Sequence, residues 1–156
     1  MWRKVAMPVI NFAEAETEVS TMSEDGLVTL ASNHPVKETL DRLEVDLRAK
    51  NITIFARIDH SAGAASVAMP LRPTELLIFG NPKAGTPLMQ SKQTIGIDLP
   101  VKMLGWQDAS GKTWLTYNDP HWLVARHGLS SATDASVEAL VTVLASLAKT
   151  AARSEQ

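Results

Sequence analysis

The chain has 156 residues, 45% hydrophobic and 21% charged, with a net charge of −2 and no cysteine, which is the usage of one globular domain large enough to bury a core. The missing cysteines exclude disulfides, thiol nucleophiles and Cys-type zinc sites, and the near-neutral balance gives no reason to expect a nucleic-acid backbone or an anionic membrane as partner. No long uninterrupted apolar run is evident, so the expected location is the cytoplasm.

The N-terminal stretch MWRKVAMPVINFAEA places basic residues ahead of a short apolar patch, but Pro8 and Asn11 interrupt it, which favours a poorly ordered leader over an export signal. Glu14, Glu16, Glu18, Glu24 and Asp25 continue it as a solvated lead-in. Residues 1–25 are therefore assigned to a poorly ordered lead-in and 26–156 to a single domain. Gly26 to Ala31 (GLVTLA) predicts a strand. Pro35 then suits the first turn of a helix, and Val36, Leu40, Leu43 and Leu47 recur at helical spacing, giving an amphipathic helix from Pro35 to about Lys50 with Asn51 as a left-handed cap.

ITIFARID, residues 52–59, is the clearest β pattern. The small residues of HSAGAASVA predict a short, closely packed helix. TELLIF, residues 74–79, is a strand that runs into the loop GNPKAGT, and a helix is expected from Pro87 with Thr86 as its cap. Leu99 to Trp106 and Thr113 to Tyr117 flank QDASGK, where Asp108 and Gly111 favour a turn, so the pair reads as a hairpin with Trp106 and Trp114 as cross-strand neighbours. NDPHWLVARHG predicts a short helix stopped by Gly128, and Ala135 to about Ala152 a long one, with Ser131 and Asp134 fitting a Ser-x-x-acid start. Strict β-α alternation is absent. The fold class is α+β, with helices packed on a mixed or antiparallel sheet in one compact domain.

Gly80, Gly85 and Thr86 invite comparison with a phosphate-binding loop, but such loops place a lysine between the second glycine and the hydroxyl residue. Here Gly85 is followed directly by Thr86, and Lys83 lies inside the loop. A nucleotide-hydrolysing loop is rejected. The physical core of the idea survives, because a helix N-terminus favours an anion and Lys83, Asn81 and Thr86 add a charge and two hydrogen-bonding side chains. The competing reading is structural, with Gly80 and Gly85 supplying unusual backbone angles and Thr86 a cap.

No pair among His34, His60, His121 and His127 has the His-x-x-x-His spacing of a helical metal site. No metal and no cofactor are assigned, and a site built from Asp59, His60 and His127 would require the fold to bring them together. His34 reads as a helix cap. Asp59 and His60 are the candidate catalytic pair for acid/base chemistry, with Arg72 and Lys83 as electrostatic partners; no nucleophile signature surrounds Ser61 or Ser66. Trp106, Trp114, Tyr117 and Trp122 suit core packing or a dimer interface better than an aromatic wall for a ligand, and a base-stacking nucleic-acid surface is not expected.

Five segments in order, LVTLASNHPVKETLDRLE, IFARIDH, RPTELLIFGNPKAGTPLM, IDLPVKMLGWQD and GKTWLTYNDPHWLVARHGL, resemble the DUF302 family of uncharacterised bacterial proteins over roughly residues 26–150. The resemblance implies a compact α+β fold, a homodimer and a binding or sensing unit more than an enzyme, and some relatives carry an export signal. The expectation is a small-ligand or anion-binding module with a site made by His60, Asn81, Lys83, Thr86 and His127. The alternatives are an acid/base or metal-assisted enzyme using Asp59 and His60, and a structural dimerisation module.

Overall fold

The computed structural model describes residues 21–22 and 24–153. Six strands form one antiparallel sheet in the order β1-β2-β6-β5-β4-β3: β1 Thr21–Met22, β2 Leu27–Ser32, β3 Thr53–Asp59, β4 Thr74–Gly80, β5 Val101–Gln107 and β6 Thr113–Asn118. Five helices connect and follow them: α1 Val36–Ala49, α2 His60–Ser66, α3 Pro82–Ser91, α4 Pro120–His127 and α5 Asp134–Ala152. The architecture is the expected α+β domain with helices on an antiparallel sheet.

One face of the sheet receives α1 and α5. The helical spacing of Leu40, Leu43 and Leu47 aims one stripe of α1 at the sheet, where all three are fully buried with Leu77, Met103 and Leu115. Each such leucine contributes about 1.5–3 kcal/mol of burial. Gly105 lets α1 come close: a Cβ there would lie 3.1 Å from Leu40 Cδ2 and 3.3 Å from Val36 Cγ1. A second apolar cluster, Leu88, Ile95, Leu123 and Val137, joins α3, α4 and the start of α5.

The hairpin forms as expected. Asp108 Oδ1 accepts from the backbone N–H groups of Ser110 and Lys112, Gly111 has φ +86°, and Trp106 faces Trp114 with ring centroids 6.2 Å apart. Asn51 adopts φ +55° beyond α1, and Gly128 closes α4 at φ +67°. α5 begins at Asp134 after a 3₁₀ turn at Ser131–Thr133, with no side-chain cap.

Several expectations are corrected. The lead-in is not wholly outside the domain, because Thr21–Met22 pairs with β2; residues 1–20, with the leader-like stretch, lie outside the described residues. The helix after β4 starts at Pro82, not Pro87. Asn81 Oδ1 caps it by accepting from Lys83 N–H at 2.9 Å, and Pro82 occupies the first turn, the better start signal of the two prolines. Pro87 sits inside α3 and forgoes one backbone hydrogen bond, while Thr86 is helical and caps nothing. Helix α2 is not closely packed: none of its residues is buried, and a Cβ on Gly63 would meet nothing within 4 Å. His34 does not cap α1; its ring contacts Glu38 Oε1 at 2.8 Å and the Arg153 carbonyl at 2.7 Å. Finally, residues Ser131–Ala152 are long and apolar enough to cross a membrane by length and composition, although Val137, Leu144, Leu147 and Ala148 of that stretch are spent on the core.

A candidate binding cavity at the strand-to-helix corner

The register of the sheet decides which candidate residues can meet. Thr53 pairs with Gly80 and Asp59 with Glu75, so Asp59 and His60 leave the sheet at the end opposite to Gly80 and Asn81. Five residue steps along β4 separate the two ends, roughly 17 Å at the usual strand rise. His60 therefore does not join Asn81, Lys83 and Thr86, and the expected five-residue site is corrected on this point. Asp59 serves as the N-cap of α2: Oδ1 accepts from Ala62 N–H at 2.8 Å and from the Ser61 hydroxyl at 2.7 Å. The Ala62 N–H first, and then the Ser61 hydroxyl, hold its carboxyl below the usual carboxylate range. Asp59 is thus engaged as a helix cap, with two donors on its Oδ1. Among the described residues no cluster of three or more His, Asp or Glu side chains could hold a metal ion.

His127 is nearer the Gly80 end but is already engaged. Its side chain is 7% exposed, with Nε2 2.5 Å from Asp98 Oδ2 and Nδ1 3.1 Å from Thr94 Oγ1. It does not line the cavity at the corner.

That cavity has a volume of about 330 Å³. Gly80, Asn81, Gly85 and Thr86 form one side, and Phe55, Leu99 and Leu140 contribute apolar wall. The segment singled out in the sequence is thus the lip of an apolar concavity at this end of the sheet, but the chemistry differs from an anion cradle. The wall is mostly hydrocarbon, and the Asn81 side chain already satisfies the Lys83 N–H. Lys83 itself lines an adjoining depression of about 370 Å³, together with Ser136 and Val143. Gly80, Asn81, Ala84, Val101 and Leu140 border both, so an apolar space and an ammonium group lie side by side.

The two glycines are not there for backbone reasons. Neither Gly80 nor Gly85 has a positive φ, unlike Gly26, Gly111 and Gly128; Gly80 ends β4 and Gly85 is helical. A Cβ at Gly85 would stand 3.6 Å from Leu99 Cδ1 and 3.9 Å from Met89 Cε, and one at Gly80 3.5 Å from Pro100 Cβ. These are ordinary contacts. What the absent side chains leave is room. Sequence reasoning missed Phe55, Leu99 and Leu140, which approach the corner only through tertiary packing; the glycine-bracketed loop from Gly80 to Gly85 is the local signal that pointed here.

A family model, "Domain of unknown function DUF302", matches residues 11–147. Two curated relatives are each 47% identical over 134 residues, 86% of this chain: "Fluoride-specific ion channel FluC 1" of Brucella suis biovar 1 (strain 1330), of which the match covers 53%, and "Fluoride-specific ion channel FluC 1" of Brucella abortus biovar 1 (strain 9-941), of which it covers 50%. The chain thus spans about half the length of the curated relatives it matches. A solved structure, an uncharacterised conserved DUF302 protein from Bacillus stearothermophilus, superposes with a TM-score of 0.72 at 19% identity, over 82% of this chain and 98% of that one; at that identity it speaks for the fold alone.

Proposed function

This chain belongs to the DUF302 family, and from that premise and the cavity we propose that it is a binding module for a small amphiphilic ligand, the apolar body seated beneath α3 and an anionic group at Lys83. The observation that carries this is Gly85. A glycine inside a helix costs about 0.8–1.0 kcal/mol relative to alanine, and here no positive φ and no close backbone approach requires it. The cost is accounted for if the space over Gly85 is used. The cavity's size and its few polar groups on an apolar wall suit a small organic ligand.

The revised site is Asn81, Lys83 and Thr86 with the apolar wall, without His60 and His127. The apolar wall offers a fluoride ion nothing to replace its hydration, so the ion in the relatives' name is not this cavity's ligand in our reading. For the longer relatives, the matched half is read as a sensing unit attached to the channel portion. The test is a thermal-shift and fluorescence-displacement series with octanoate, octanol and sodium fluoride. Octanoate stabilises the protein, octanol binds more weakly, and fluoride has no effect; Lys83→Ala removes the preference for the carboxylate, about fivefold for one exposed charge pair. Absence of stabilisation by octanoate and octanol alike overturns the reading.

A homodimer is the second reading, favoured by the sheet face turned away from α1 and α5. Strand alternation places Ile58, Leu76, Leu104, Trp106 and Trp114 there, with Ile58 39% exposed. An apolar sheet face of this kind is a natural partner for a second copy. Sedimentation equilibrium of the protein and of Trp106→Ala tests it: a dimer weakened by the change supports this reading, and a monomer in both contradicts it.

A further inference from the structure

Thr94 and Asp98 from one turn and His127 from α4 meet in one hydrogen-bonded line. Thr94 lies in a 3₁₀ turn at Gln93–Ile97, Asp98 closes that turn, and His127 ends α4. Asp98 Oδ2 lies 2.5 Å from His127 Nε2, and His127 Nδ1 lies 3.1 Å from Thr94 Oγ1. Asp98 and His127 are largely buried, at 12% and 7% side-chain exposure, whereas Thr94 is exposed. Arg126 Nη1 stands 3.3 Å from Asp98 Oδ1 and adds positive charge beside the carboxylate.

The protonation pattern follows from the partners. A carboxylate only accepts, so Nε2 carries the hydrogen, and in the neutral ring Nδ1 keeps its lone pair. The hydroxyl of Thr94 then donates to Nδ1. That is an exposed hydroxyl on a base whose tautomer and orientation are set by a buried acid, the arrangement that activates hydroxyl nucleophiles on unrelated folds.

We propose that Thr94, His127 and Asp98 form a nucleophilic relay for acyl transfer from esters. Thr94 Oγ forms a bond to the ester carbonyl carbon while its proton passes to His127 Nδ1. The C–O bond to the alkoxide leaving group breaks, and that group departs as the alcohol with the proton from His127. Water then adds to the acyl-threonine with His127 taking its proton; the acid is released and the proton returns to Thr94 Oγ. Thr94 is the catalytic nucleophile, His127 the catalytic base and Asp98 a positioning residue. The proposal is independent of the amphiphile reading, since an acetyl group needs no cavity.

The experiment mixes the full chain with p-nitrophenyl acetate and follows p-nitrophenolate release alongside peptide mass spectrometry. An acetyl group on the peptide containing Thr94 and turnover above buffer are expected. Thr94→Ala loses both with an unchanged melting temperature, because its side chain is exposed; Thr94→Ser retains them. Asp98→Asn lowers turnover by a hundredfold or more through the wrong tautomer, and a variant that unfolds leaves the Thr94 pair as the deciding test. Acetylation confined to lysines, or equal turnover in wild type and Thr94→Ala, overturns the proposal and leaves the three residues as a clamp between α4 and the 3₁₀ turn.

Discussion

Replacing Gly85 by alanine separates a glycine kept for space from one kept for backbone shape. Gly85 is the fourth residue of α3, and its φ is not positive. Alanine there recovers about 0.8–1.0 kcal/mol of helix propensity. Its methyl meets Leu99 Cδ1 at 3.6 Å and Met89 Cε at 3.9 Å without overlap, so packing opposes the gain little and burial of one carbon adds up to about 0.8 kcal/mol. A net gain of about 1 kcal/mol raises the melting temperature by about 2–4 °C in a chain of this size. Thermal unfolding followed by circular dichroism reads this directly. The same variant, and Gly85→Leu more strongly, narrows the cavity and weakens octanoate binding. A melting temperature that falls in Gly85→Ala would refute the argument, because it would mean that the corner needs glycine for its conformation.

Three other substitutions probe the frame around the site. Gly26→Ala puts a Cβ at 2.1 Å from Trp122 Cγ, at a φ of +79°; left-handed strain and overpacking together cost about 2–5 kcal/mol, measurable by urea unfolding. Arg57→Met removes the guanidinium that bonds Asp41 at 2.6 Å and Glu75 at 2.7 Å, leaving Glu75 buried at 8% exposure without that partner; a loss of about 1–3 kcal/mol is expected in the same assay. Asp108 is held well below the usual carboxylate range by the Trp114 indole N–H first and the Ser110 hydroxyl next. A depressed carboxylate stabilises the fold above its unfolded value of 3.8 and loses that contribution as pH falls through the folded value. Melting temperatures of wild type and Asp108→Asn therefore differ at neutral pH and converge as pH drops from about 5 to about 2; a difference independent of pH would count against the Trp114–Asp108 bond.

Local chemistry made much of this molecule legible. The stripe Leu40, Leu43 and Leu47 identified α1, the residues around Asp108 and Gly111 fixed the hairpin and set Trp106 against Trp114, and Gly128 marked the end of α4, because each signal is complete within a few residues of chain. Where two local signals competed, reading failed: Pro82 and Pro87 both suit a helix start, and only the Asn81 cap decides between them. The small residues of α2 suit close packing, yet none of them is buried and Gly63 faces open space, since sequence alone does not say what lies opposite a residue.

The site followed the same division. The sequence by itself determined that the Phe79 to Ser91 corner joins a strand to a helix, with two glycines and one lysine in it, because backbone preferences act over a single turn. Only the tertiary structure decided that Asp59 and His60 leave the opposite end of the sheet, because strand register is set by pairing between distant segments. It alone brought Phe55, Leu99 and Leu140 over Gly85, and Thr94 and Asp98 onto His127, since contacts between residues this far apart in the chain depend on how the elements pack and leave no periodicity for a sequence to display.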